Sequence, residues 1–419
     1  MEPILIPSQH NRLVIPSEPN EEEFNYIADG YKGKLNIDSY DIISTIGSGS
    51  YGEVCIVREK STKQVYAMKK IYYTEVSDTE LVKKRALRER DAMVICNNKN
   101  NKRAPKLYCS FIDDNEGVFY YVMEFIAGGD FNSYCYKRLV DGKKFTEEEI
   151  KFYIAELVLC LEAFHSYGLL HRDVKPENLM INKDGHLVLG DFGSSKLANN
   201  SGGGGGNFGN TLTVPMSTSY STSPSSSISS SLLGGSGGFT PSHWNGMAGS
   251  AGSSFGSSSL GRSFDNTPPN FNSFLRNPHS SYTSYIGTPQ YMAVEVVQGV
   301  NYSKLCDFWS LGAILFELVT GQALFVESPD TTEQKIRENI GNWRGLLNTA
   351  VQKNQPMSKQ AESLIRECIA PERKRPDAST IKKHPFFEGI NWEEMANFNV
   401  EPPFKPTLSS DDDISYFTN

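Results

Sequence analysis

His171-Arg172-Asp173-Val174-Lys175-Pro176-Glu177-Asn178 decides the reading of this chain, together with Asp191-Phe192-Gly193, which begins thirteen residues after Asn178. The first run puts a carboxylate, an ammonium group and an amide within six positions, and the second adds another carboxylate. Phosphoryl transfer needs such a set, because it rests on positioning and charge neutralisation rather than on covalent work by the protein.

Toward the N-terminus lies Gly47-Ser48-Gly49-Ser50-Tyr51-Gly52-Glu53-Val54, preceded by Ile46. Its glycines let backbone N–H groups approach phosphate closely. A strand pattern follows rather than a helix, which excludes a dinucleotide-binding turn, and no GxxxxGK[ST] run exists. Fifteen residues after Val54 comes Lys69, flanked by the strand formers of Val65-Tyr66-Ala67-Met68. Glu89 follows within a helical pattern.

Alternation predicts strands over Tyr40–Ile46, Gly52–Glu59 and Val65–Ile71. Helical spacing covers Leu81–Cys96, Thr146–Ser166, Lys304–Thr320 and Ser358–Cys368, and Thr146 with Glu149 forms a capping-box pattern. Residues 199–282 are rich in Ser, Gly and Asn and include the run Gly202–Gly206; such composition predicts disorder. They read as an insert within one domain spanning 40–387, since a long surface loop costs little closure entropy. Residues 1–38 read as a flexible N-terminal segment and 388–419 as a Pro- and Asp-bearing tail.

The 419 residues carry a formal net charge of −8, which argues against a general binder of nucleic acid or membrane surface. The seven cysteines form no CxxC pair, so reduced thiols in a cytoplasmic or nuclear protein are expected. The stretch Trp309–Val319 is too short to span a bilayer, and Met1-Glu2-Pro3 starts neither a signal peptide nor a myristoylation site.

Taken in order and spacing, these motifs resemble the eukaryotic serine/threonine protein kinases over residues 40–387. The resemblance implies an α+β, bilobal fold: a small β-rich lobe with one key helix, a larger helical lobe, and ATP between them. It assigns Asp173 to orient the attacking hydroxyl and accept its proton, and Lys175 to neutralise charge on the γ-phosphate. Asn178 and Asp191 would hold Mg²⁺, and Lys69, paired with Glu89, would hold the α- and β-phosphates. Met123 falls at the gatekeeper position and Glu124–Ile126 at the hinge. Ile46, the glycine loop, Ala67, Met180, Asp130 and Glu177 complete the cleft. Asp130 and Glu177 also line the peptide groove, which implies substrates with basic residues upstream of the target.

The tail is similar to that of AGC kinases. Pro403-Phe404-Lys405-Pro406 gives a PxxP turn, and Asp413-Ile414-Ser415-Tyr416-Phe417 matches a DxSxF tether whose aromatic residue reaches toward the adenine pocket. Asn342-Trp343-Arg344 and the enlarged insert resemble the NDR/LATS branch. There a serine three residues before the Gly287-Thr288 pair is phosphorylated, here Ser284, and its phosphate would pair with Arg172. An activating kinase or a coactivator is implied, although the first 38 residues lack the long basic helix that binds Mob coactivators.

Three departures stand out. Ala293-Val294-Glu295 replaces Ala-Pro-Glu, Gly190 precedes Asp191 where a larger residue is usual, and no C-terminal hydrophobic motif precedes Asn419. These leave a nucleotide-binding scaffold as the rival reading. A small-molecule kinase of the same fold would lack the peptide-binding segment that Gly287–Glu295 supplies. The insert reads either as an inert expansion or as a gate on the substrate groove.

Overall fold

The computed structural model describes residues 24–49, 52–73, 79–198, 289–328, 330–354 and 357–417. The Ser/Gly/Asn-rich insert, Ser284, the Gly287-Thr288 pair and the Ser50-Tyr51 tip of the glycine loop lie outside them.

β1 (Tyr26–Ile27), β2 (Tyr40–Gly49), β3 (Gly52–Glu59), β4 (Val65–Tyr72), β5 (Leu107–Asp113) and β6 (Val118–Met123) form one antiparallel sheet, ordered β1-β5-β6-β4-β3-β2. Side chains alternate between its faces. Phe119 and Tyr121 face helix α1 (Thr79–Asn98) and join Ala86, Leu87 and Met93 in the main core. Val118, Tyr120 and Val122 face the other way and pack with Val57, Tyr66, Met68 and Phe111. A Cβ at Gly52 would collide with the carbonyl oxygen of Lys70, so the pairing of β3 with β4 requires glycine there.

Residues 24–38 correct the expectation of a wholly flexible N-terminal segment. Phe24 is buried on the α1 side of the sheet, while Tyr31, Leu35 and Ile37 cover the opposite face. The apolar residues are irregularly spaced because they divide between the two faces of the sheet, so no period marked them.

The larger lobe contains α2 (Phe131–Val140), α3 (Glu147–Ser166), α4 (Val294–Val297), α5 (Cys306–Thr320), α6 (Glu333–Gly341), α7 (Trp343–Lys353), α8 (Lys359–Cys368), α9 (Ala378–Ile381) and α10 (Trp392–Ala396). β7 (Leu169–Leu170) pairs with β10 (Lys196–Leu197), and β8 (Leu179–Ile181) with β9 (Leu187–Leu189). The capping box of α3 is present: Glu149 N donates to Thr146 Oγ1 at 3.2 Å, and Thr146 N donates to Glu149 Oε2 at 2.7 Å. α5 is buried along most of its length and forms the floor of the lobe, with Trp309 edge-on to Trp343 at 5.7 Å.

Candidate active site

β8 and β9 pair antiparallel with Leu179 opposite Leu189, so the run 171–178 and Asp191 leave the hairpin at the same end and meet there. The loop carrying Asp173 is pinned from below by Asp307, a fully buried carboxylate at the start of α5. Asp307 accepts from His171 N at 3.0 Å, Arg172 N at 2.8 Å and His165 Nε2 at 2.7 Å. Burial opposes its charge, but these donors and the nearby imidazoles outweigh it and hold its pKa below the ordinary value. Arg172 adopts φ +67°, a conformation costly for arginine, which this grip on its N–H stabilises.

Within the loop, Asp173 Oδ2 lies 3.1 Å from Lys175 Nζ and accepts from Asn178 Nδ2 at 3.1 Å. The same amide nitrogen donates to the Asp173 carbonyl at 2.7 Å, so the amide oxygen is the end that can meet a cation. Burial works against the Lys175 ammonium, but Asp173 and Glu177 raise its pKa.

From the small lobe, Lys69 sits opposite Val54 on β3 and Tyr121 on β6. Its Nζ lies 2.6 Å from Glu89 Oε1 and 3.1 Å from Asp191 Oδ1. Burial penalises the ammonium, yet the two carboxylates outweigh it and keep Lys69 charged. Lys69 in turn holds the Asp191 carboxyl at about 2, so this group is ionised throughout the working range. Asp191 has φ +57°, and it is followed by Phe192, buried against His171 at 5.4 Å and Phe164 at 5.3 Å. The ionised, cleft-facing Asp191 and the amide oxygen of Asn178 are hard oxygen donors of the kind Mg²⁺ takes.

The cleft brings together most residues expected in it. Gly47 pairs with Val54 beside Lys69, and Ala67 pairs with Met123 at the start of the hinge. Met180 bridges to Asp130. Glu53 departs from the expectation: its side chain bonds Lys70 Nζ at 2.7 Å and Tyr72 OH at 3.2 Å. Those residues alternate with Lys69 onto the other face of β4, which draws the carboxylate away from the nucleotide side. Phe417 stacks on Phe125 of the hinge at 5.6 Å. The tail reaches it by way of Phe404 stacked on Tyr134 and Arg58 paired with Asp412 at 2.6 Å.

The departures at Val294 and Gly190 leave the local geometry intact. Glu295 forms a buried bidentate pair with Arg375 at 2.6 and 3.1 Å. Val294 takes the first position of α4, where proline would lose no hydrogen bond, and extended Ala293 already sets the entry. Gly190 donates to Asn178 O at 2.9 Å and accepts from His171 Nε2 at 2.9 Å. A Cβ there would lie 3.2 Å from Pro105, so a larger residue would crowd this packing.

Glu317 escaped the sequence reading because it lies inside the most apolar helix. Its carboxyl accepts from Tyr291 OH at 2.7 Å. Burial, reinforced by the charge of Glu177, pushes it up to about 7. Glu177 is raised by surrounding protein, with Asp173 and Asp130 adding to the effect against Lys175. Glu177 thus lies within electrostatic reach of both Asp130 and Glu317 and of Lys175, which gathers three carboxyl groups at this loop.

The protein kinase domain family matches residues 40–224 and 271–387. The chain belongs to this family. Among curated relatives, serine/threonine-protein kinase CBK1 of Yarrowia lipolytica is 32% identical over 92% of this chain and 59% of its own length. CBK1 of Pneumocystis carinii is 32% identical over 92% of this chain and 67% of its own. Serine/threonine-protein kinase cot-1 of Neurospora crassa is 32% identical over 91% and 56%. The kinase chain thus spans 56–67% of the length of these relatives. They bear out its placement in the AGC group near the NDR/LATS branch.

Proposed function

We propose that this chain is an active serine/threonine protein kinase that transfers the γ-phosphate of ATP, with Mg²⁺, to protein hydroxyls. The observation that carries it is the joint geometry of Lys69–Glu89, Lys69–Asp191 and Asp173–Lys175–Asn178 in one cleft. Asp173 would accept the hydroxyl proton while Lys175, 3.1 Å away, meets charge on the transferring group. Asn178 and Asp191 would hold Mg²⁺, which supplies charge neutralisation on the phosphates. A scaffold without catalysis would need one of these groups displaced. Purified chain should transfer phosphate to a Ser/Thr peptide in a Mg²⁺-dependent manner; nucleotide binding without transfer overturns the reading.

The acidic zone of Asp130, Glu177 and Glu317 supports a preference for arginine or lysine upstream of the target, since a cation relieves the mutual repulsion. Peptides that differ only in upstream arginines should differ in kcat/KM, and indifference would refute the preference. Regulation at Ser284 belongs to the same proposal. Burial lowers the pKa values of Arg88 and Lys196, and both feel the charge of Arg172, a concentration of cations suited to a phosphate from the activation segment. Phosphosite mapping of active protein that always finds Ser284 empty would remove this claim. A cytoplasmic or nuclear location is part of the proposal, supported by seven cysteines that are all free thiols.

A further inference from the structure

We infer that residues 24–28 act as a built-in strut that positions helix α1, with Phe24 and Tyr26 as positioning residues for the Lys69–Glu89 pair. The inference rests on the kinase reading for its rate effects, and on the small-lobe geometry for the rest.

Glu89 can meet Lys69 only while α1 lies against the sheet. The Phe24 ring sits at the seam between them, 4.4 Å from Phe119 and 5.6 Å from Tyr121. Tyr121 OH donates to the carbonyl of Ala86, three residues before Glu89, at 2.8 Å. The guanidinium of Arg90, next to Glu89, lies 5.9 Å from the Phe24 ring centroid. At the far end of the helix, Asn97 Nδ2 donates to Tyr26 OH at 3.2 Å. The segment is fixed to the sheet on its other side: Ser110 Oγ donates to Phe24 O at 2.7 Å, Ala28 N donates to Tyr108 O at 2.8 Å, and Tyr26–Ile27 pair with β5. One short extended segment therefore touches α1 at Arg90, beside Glu89, and again two turns on at Asn97, while being tied to β5; Tyr121, against which the Phe24 ring packs, holds the turn before Glu89. Its contribution is local: it joins the main core through the Phe24 ring, with Tyr26 packed alongside, and leaves the Asp307-anchored loop untouched.

The strut sets the fraction of molecules in which Lys69 and Glu89 are paired, so its loss should lower kcat with peptide KM unchanged. In the full chain, Phe24→Ala should lower kcat on the order of tenfold. A synthetic peptide of residues 18–32, added in excess, should restore most of that loss. Hydrogen exchange of α1 amides around Glu89 should be faster in the variant and slow again with the peptide. A kcat within twofold of the parent in folded Phe24→Ala, or unchanged α1 exchange, overturns the inference. Where Phe24→Ala does not fold, Phe24→Leu decides. An intermediate kcat at unchanged melting temperature supports the strut, and parental kcat shows mere filler and overturns it. Absence of transfer in the parent chain would sink the kinase reading instead, while the exchange measurement still tests the strut.

Discussion

The two sides of the cleft hold their charges by different means. On the large-lobe side, Asp173, Lys175 and Asn178 stand on a loop whose backbone is gripped by fully buried Asp307, itself on the floor helix α5. On the small-lobe side, Lys69 is held by Glu89, and Glu89 depends on where α1 lies. The first arrangement is completed by folding itself, because a buried carboxylate without its donors would be very costly. The second can be lost by a local shift that leaves the core intact. Control of the rate is therefore expected at α1 and its contacts.

The largest effect should come from the large-lobe side. Asp173→Ala removes the proposed proton acceptor, and kcat should fall on the order of 10³-fold or more while ATP binding and melting temperature persist. Near-normal turnover would break the assignment of that side. Asp307→Ala should act differently: it leaves buried donors without an acceptor and should reduce stability by about 3–5 kcal/mol in denaturant titration. A stable, inactive Asp307→Ala protein would show that the loop is not anchored as described.

A smaller effect is expected across the cleft. Glu89→Gln keeps the packing of α1 but removes the charge that fixes Lys69, so kcat should drop about 10–100-fold with melting temperature little changed. A loss of stability comparable to that of Asp307→Ala would erase the distinction between the two sides.

The same contrast explains what was legible in the sequence. His171–Asn178 and Asp191–Gly193 are contiguous, and their chemistry follows from the order of their residues. Strands β2 to β4 and helices α1, α3, α5 and α8 showed through period and caps; Ser358, for example, caps α8 by accepting from Ala361 N. The residues that position the chemistry are scattered. Asp307 sits at an unremarkable helix start, 134 positions after Asp173. Phe24 lies in a polar stretch, and its role depends on β5 and β6, which no short motif announces. A loop motif does not say which face of the sheet a side chain takes, so the turn of the Glu53 carboxylate toward Lys70 and Tyr72 was not legible. Glu317 was overlooked because an acidic residue in an apolar helix gains meaning only when Tyr291 and Glu177 come beside it.

Glu317 also supplies the smallest and most specific test. With its carboxyl near 7, the group is largely protonated at pH 6 and ionised at pH 8. Under the proposed preference for basic peptides, ionised Glu317 would favour an arginine-bearing peptide, so KM for such a peptide should rise as pH falls from about 8 to 6, by several-fold. The effect on folding has the opposite sign. A carboxyl whose folded-state value exceeds the unfolded value, 4.5 in this case, binds more protons when folded between the two. Its contribution to stability is therefore greatest below about 4.5 and is lost as pH rises through about 7. Substrate affinity and stability should thus move apart over the same window, and Glu317→Gln should flatten both trends. A KM profile that survives Glu317→Gln unchanged would place the titrating group elsewhere, with Glu177 the next to replace. It would also leave the acidic zone resting on Asp130 and Glu177 alone.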